Sequence, residues 1–174
     1  MDGRSSLESE VLIDKGQNHG GGPKKRCTKY MKKSDPFDLN RFVEAQEGVY
    51  AGVLAELRAG DKRGHWIWFI FPQIAGLGAS PMARRYAIQS RDEAVAYLAH
   101  PILGERLREC VEAMNSNEGS DAEEILGGID AMKFRSSLTL FAQVADDPSV
   151  FEDALDKYYD GDQDPLTMGL LEDA

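Results

Sequence analysis

Residues 90–128 read SRDEAVAYLAHPILGERLRECVEAMNSNEGSDAEEILGG, and their punctuation decides the fold class. Ser90 and Glu93 form a Ser-x-x-Glu capping box, in which the serine oxygen accepts a backbone N–H that the first helical turn leaves free. The helix it opens must stop at His100, because a residue before proline is pushed out of the helical region. Pro101 then suits the first turn of a second helix, where its missing N–H costs nothing. Leu103, Leu107, Cys110, Val111 and Met114 follow at helical spacing on one face. Ser120 with Glu123 repeats the capping box, and Gly127-Gly128 closes the helix after it. Helix signals in this density, with no alternating apolar–polar run between them, predict helices packed on helices.

The same grammar extends outward in both directions. Asp35-Pro36 reads as a cap followed by proline, and the stripe Phe42, Ala45, Val49, Val53, Leu57 runs to Gly60, which predicts one long helix over 36–59. Gly48 and Gly52 lie four apart inside it and read as a point of close approach by another element. Ser80-Pro81 opens a short helix to Ile88. Downstream, Asp130 reads as the cap of a helix bearing Met132, Phe134, Leu138, Phe141 and Val144. Asp147-Pro148 caps another, with Val150, Phe151, Leu155 and Tyr158 inward and a stop at Gly161. Asp164-Pro165 opens a last one, to about Glu172. The expectation is an all-α, single compact domain of seven to eight helices with short connections.

One segment resists this scheme. Residues 65–77 hold both tryptophans within His65-Trp66-Ile67-Trp68-Phe69-Ile70-Phe71-Pro72-Gln73. Their aromatic and β-branched content suits a strand, but a lone strand would have no ladder partner in a helical chain. The segment therefore reads as a buried helical turn ending near Phe71, followed by a loop through Gly76 and Gly78.

Charge divides the chain of 174 residues unevenly. Residues 1–33 carry eight basic and four acidic side chains, so the total of −10 leaves −14 on residues 34–174. An acidic body argues against nucleic acid as a partner. The first stretch, low in apolar residues and containing His19-Gly20-Gly21-Gly22-Pro23, reads as a disordered basic tail (1–33) ahead of a helical domain (34–174). Two cysteines, Cys27 and Cys110, allow no disulfide framework and no cysteine-rich zinc site. No apolar run approaches a membrane span, and the opening MDGRSSLESEVLIDKG, with acids and no apolar core, does not fit a secretory signal. A cytoplasmic protein is the expectation.

The strings Asp35-Pro36-Phe37-Asp38-Leu39-x-Arg41-Phe42-x-x-Ala45-Gln46, the block His65 to Gln73 with Gly76-Leu77-Gly78, Tyr97-Leu98-x-His100-Pro101-x-Leu103-Gly104 and Lys133-x-x-Ser136-Ser137-Leu138-Thr139-Leu140-Phe141 follow one another in order. Together they resemble an uncharacterised bacterial helical family, domain of unknown function 1810, over residues 35 to about 172. The resemblance implies an all-helical fold and no established activity. Some members of that family carry a calpastatin label. Calpain inhibitors of that type are disordered repeats, whereas this chain reads as a capped helical body without repeats.

Candidate chemistry is sparse. The histidines His19, His65 and His100 keep no zinc-binding spacing, so no metal is implied. Neither a Walker pattern nor Gly-x-Gly-x-x-Gly occurs, and no cofactor is implied. Cys110, on an apolar stripe, reads as an inert buried thiol. Ser136 and Ser137 sit three and four residues after Lys133, so all three share a helix face and a serine–lysine pair is conceivable. His65 is the acid/base candidate because imidazole titrates near neutrality. Gly76, Gly78 and Ser80 lead into a helix start that could hold an anion. Trp66 and Gln73 would complete a small-ligand pocket. The sequence thus supports a small-molecule, nucleotide-like or anion binder or enzyme using His65, Lys133 and Ser136. The alternative is a non-catalytic helical protein–protein interaction module. On that second reading Lys133 pairs with an acid such as Asp130, and His65 satisfies backbone groups of the aromatic segment.

Overall fold

A computed structural model describes residues 34–174. The expectations for residues 1–33 lie outside the described residues. Among the described residues ten helices follow one another: α1 (Asn40–Gln46), α2 (Tyr50–Ala59), α3 (Ile67–Ile70), α4 (Pro81–Arg85), α5 (Arg91–Ala99), α6 (Leu103–Asn115), α7 (Ala122–Leu126), α8 (Gly128–Ala142), α9 (Ser149–Tyr159) and α10 (Pro165–Glu172). No strand occurs among the described residues, and a single parallel bridge joins Ile74 to Ile88. None of these helices is long and apolar enough to cross a membrane.

Local chemistry sets the helix starts. Ser80 and Ser90 accept the Ala83 and Glu93 backbone N–H groups at 3.1 and 3.2 Å. Asp164 accepts the Leu166 N–H at 3.3 Å. At α7 the expected frame slips by one residue. The reciprocal box is Asp121 with Glu124, at 2.8 and 3.1 Å, and not Ser120 with Glu123. Asp130 lies inside α8, whose N-cap is Gly127. The box expected at Ser90 is only half formed, because the Glu93 side chain turns away to Arg41 and to the Gln89 N–H. His100 ends α5 and starts α6, its Nδ1 accepting the Ile102 and Leu103 N–H groups at 3.2 and 3.3 Å. The chain turns so tightly there that a Cβ on Gly104 would stand 2.0 Å from the Leu98 carbonyl oxygen.

The long helix expected over 36–59 is two helices. Asp35 caps only a preceding turn, accepting the Leu39 and Asn40 N–H groups at 2.8 and 2.9 Å, and α1 begins at Asn40. The break falls at Gly48, which has φ +76°. Gly48 and Gly52 do not admit a neighbour, since a Cβ at either would meet nothing within 4 Å. The two glycines therefore differ in kind. Gly48→Ala is expected to destabilise by about 1 kcal/mol, because only glycine enters the left-handed region without penalty. Gly52→Ala, in an open helix interior, is expected to stabilise by about 0.5–1 kcal/mol. Urea midpoints of the two variants moving in opposite directions would confirm the break.

The core is threaded by aromatic side chains. Tyr97 meets Phe42 edge-on at 5.1 Å and Phe141 at 5.3 Å, Phe141 continues to Phe151 at 6.0 Å, and Phe71 packs on Phe134 at 4.6 Å. Helix α8 lies at the centre, contacting α3, α5, α7, α9 and α10. All five residues of the α6 stripe are buried, and burial pushes the Cys110 thiol up to about 12, consistent with an inert thiol. On α8 the expected stripe holds for Phe134, Leu138 and Phe141 but not for Met132, which is largely exposed. Gln46 locks the aromatic segment in place: its amide donates to the Phe69 carbonyl at 2.9 Å and its oxygen accepts from Arg106 at 3.2 Å. That segment is one helical turn, α3, as expected. Beyond it Ile88 N–H donates to Gln73 O and Ala75 N–H to Ile88 O, both at 2.8 Å.

Candidate functional site

A concavity of about 470 Å³ opens where the loop after α3 and helix α4 face the first half of α8 and the start of α10. Its apolar walls include Trp68, Leu77, Ile129, Met132 and Leu166, and its polar groups come from Gln73, Ser80, Lys133, Arg135, Ser136 and Asp164. Three large apolar side chains around it, Ile129, Met132 and Leu166, are 74%, 70% and 67% exposed. Exposed apolar surface gathered in one place marks a contact site more often than scattered exposure does.

The charges beside it are ordered around one carboxylate. Asp130 Oδ2 pairs with Lys62 at 2.8 Å and Asp130 Oδ1 with Lys133 at 3.0 Å. Burial alone would raise the Asp130 carboxyl, but hydrogen bonds from Lys62 and Lys133 outweigh it and hold the group below the usual aspartate range. Each ammonium also sits over an indole: Lys62 lies 4.9 Å from the Trp66 ring centre and Lys133 4.6 Å from that of Trp68. The two lysines differ in what remains free. Lys62, its side chain 8% exposed, also donates to the Gly64 carbonyl at 2.6 Å. Lys133 has Asp130 as its one oxygen partner among the described residues and reaches the cavity wall. The indole N–H of Trp68 is buried without a partner.

On the α10 side, Ser136 Oγ donates to Asp164 Oδ2 at 2.7 Å and lies 3.1 Å from the Met132 carbonyl. Thr167 Oγ1 donates to the same Asp164 oxygen at 2.6 Å. Burial would raise Asp164, but the Thr167 and Ser136 hydroxyls and backbone N–H groups prevail and lower it. No hydrogen bond joins Lys133 to Ser136 or Ser137 among the described residues.

Of the residues singled out from sequence, Gln73, Gly78, Ser80, Lys133 and Ser136 line the concavity. The others lie elsewhere. Ser137 is buried with an unpartnered hydroxyl. Trp66 is core, its indole N–H donating to Glu56 Oε2 at 2.8 Å. Gly76 faces Leu170, and His65 is exposed and outside the lining. Trp68, Met132, Arg135 and Asp164 belong to the site although none was singled out for it. Helical periodicity places Met132 inward, whereas the structure exposes it, and the sequence marks Asp164 only as a cap, whereas it also accepts from Ser136 and Thr167. No group of three or more His, Cys, Asp or Glu side chains that could hold a metal ion occurs among the described residues.

The fold and its concavity define a small all-α domain with one ordered lysine–carboxylate–lysine cluster beside an apolar-rimmed hollow. The chain belongs to the family described as protein of unknown function, DUF1810, whose model matches residues 36–171. Among solved structures it is similar to the crystal structure of the conserved hypothetical protein Rv1873 from Mycobacterium tuberculosis, at 54% identity and a TM-score of 0.78. That match covers 79% of this chain and 99% of the other. No curated protein matches the chain.

Proposed function

We propose that the domain binds a small amphipathic organic anion in the concavity bounded by α3, α4, α8 and α10. The observation that carries this reading is the unequal sharing of Asp130. Lys62 is buried and tied to both that carboxylate and the Gly64 carbonyl, whereas Lys133 has Asp130 as its one oxygen partner among the described residues, which leaves N–H groups for an acidic group on a ligand. The apolar body of the ligand would lie against Ile129, Met132 and Leu166. Two features support binding over turnover. Ser136 is tied to an ionised aspartate that is a poor base, and His65 stands outside the hollow. The exposed apolar rim favours a second reading, a protein–protein interaction module that would seat a partner helix there.

The test uses 1-anilinonaphthalene-8-sulfonate, itself an aromatic anion, titrated into the full chain while its emission is followed. Saturable binding with one site per chain is expected. Lys133→Met should weaken it about tenfold, the equivalent of one charge-assisted contact. Lys157→Met, a lysine on α9, should leave it unchanged. The occupied protein should also melt at a higher temperature, because a ligand that binds only the folded state stabilises it. Equal affinity of the Lys133→Met chain, or no saturable binding at all, would reject the anion site and leave the interaction module.

A further inference from the structure

A second concavity, of about 320 Å³, lies across Met132 and Arg135 from the first, bounded by Asp121 and Glu123 near α7 and by Tyr158 and Tyr159 of α9. Its character is opposite. The two tyrosine rings stand 6.4 Å apart with their planes inclined at 60°, so they form two walls of an open corner. Both rings are fixed. Tyr159 donates its hydroxyl to the Ala131 carbonyl at 2.6 Å, Tyr158 donates to the Met114 carbonyl, and Phe134 packs against them at 6.3 and 6.4 Å. A corner with committed hydroxyls presents ring faces, whose negative quadrupole attracts cations.

The carboxylates agree with this. Asp121 uses one oxygen to cap α7 and keeps the other. Glu123 is exposed and has no hydrogen bond or ion pair from its side chain among the described residues. Two cations already stand against the rings: the Arg135 guanidinium is held back by the Asp162 and Gln163 carbonyls at 2.8 and 3.0 Å and flanks Tyr159 at 5.9 Å, and Lys157 Nζ, outside the lining and bound to the Asn115 and Asn117 carbonyls, lies 5.4 Å from the Tyr158 ring centre. Among the side chains that line the corner, the two carboxylates Asp121 and Glu123 face the one guanidinium of Arg135. A hard metal cation would need six or so oxygen ligands, which these side chains do not supply. A bulky, weakly hydrated cation needs only ring faces and a nearby negative charge.

We propose that this corner is a binding site for a methylated ammonium group, with Tyr158 and Tyr159 contacting its methyl groups and Glu123 supplying the counter-charge. The inference is independent of the anion reading, because its probe is a cation and its readout falls on α7 and α9.

Choline chloride, and separately Nα-acetyl-Nε-trimethyllysine amide, are titrated into the full ¹⁵N-labelled chain, with sodium chloride at equal ionic strength as the reference. Backbone amide shifts are followed by NMR. Saturable shifts centred on residues 121–123 and 158–159 are expected with at least one probe. Choline alone would mark a free small molecule as the source, and the lysine derivative alone a modified protein. Glu123→Gln, at an exposed position, should weaken binding about threefold to fivefold. Tyr159→Phe, which keeps the ring, should bind as the parent does, whereas Tyr159→Leu should lose binding. Shifts indistinguishable from those in sodium chloride, or an unchanged affinity in Glu123→Gln, would overturn the proposal even if Tyr159→Leu fails to fold.

Discussion

Phe141→Ala should cost the domain about 3–5 kcal/mol, as truncations of fully buried aromatic side chains do. Phe141 has no exposed surface and is gripped by Tyr97 at 5.3 Å and Phe151 at 6.0 Å. Those rings belong to α5 and α9, so the hollow left by truncation would open where three helices meet, and rigid backbones on all sides limit its collapse. A domain of ordinary stability, about 5–15 kcal/mol, would lose a large part of its margin. Urea denaturation followed by circular dichroism checks this. A loss below about 1 kcal/mol would mean that the α5–α8–α9 junction is far softer than its packing implies.

Arg41→Ala should be as damaging, about 3–5 kcal/mol, for an electrostatic reason. The Arg41 guanidinium donates to the Phe37, Asp38, Arg85 and Ala87 carbonyls at 2.6, 2.9, 3.0 and 2.9 Å and to Glu93 Oε1 at 2.6 Å. The side chains of Arg41 and Glu93 are 12% and 2% exposed. Removing the arginine strands the Glu93 charge with only the Gln89 N–H as partner and frees four carbonyls at once. Lysine should not substitute, because a single ammonium cannot span the directions a planar guanidinium serves. The double variant Arg41→Met, Glu93→Leu should recover part of the loss, since no buried charge then remains. Melting temperatures of the three variants test this ordering. A lysine variant as stable as the parent would contradict it.

These two side chains also show where sequence reading succeeds and where it stops. Phe141 was legible because helical periodicity projects it onto one face with Phe134 and Leu138. The caps at Ser80, Ser90 and Asp164 were legible because a cap is a contact over two or three residues. The Arg41–Glu93 pair spans 52 residues, and only the folded chain brings it together. The same limit governs the site. Lys133, Ser136, Gln73, Gly78 and Ser80 converge on one hollow, and the Lys133–Asp130 pair is local enough to be foreseen. The choice between the tryptophans went the other way. Spacing shows that Trp66 and Trp68 diverge, but not which of them faces inward, and Trp68 forms the wall while Trp66 joins the core. Gly48 and Gly52 four apart in an apolar stripe read as a point of close approach, and only the folded backbone shows that Gly48 instead breaks the helix at φ +76°.

The bridge between Ile74 and Ile88 has a consequence for how such a site can change over time. Two hydrogen bonds pinch off the stretch from Ala75 to Ala87, and within that ring lie Leu77, Gly78, Ala79, Ser80 and Ala83 of the cavity wall. The entropy of closing a loop grows only with the logarithm of its length, so residues added or lost at the exposed stretch Gly78 to Ser80 scarcely strain the pinch point, whereas Arg85 and Ala87 are held by Arg41 and Tyr86 is buried. The opposite wall, on α8, is part of the central core helix and has no such freedom. The protein can therefore exchange one side of its cavity as a cassette while the other stays fixed. Under the proposed anion-binding function, altered ligand preference should arise first around Gly78 to Ser80.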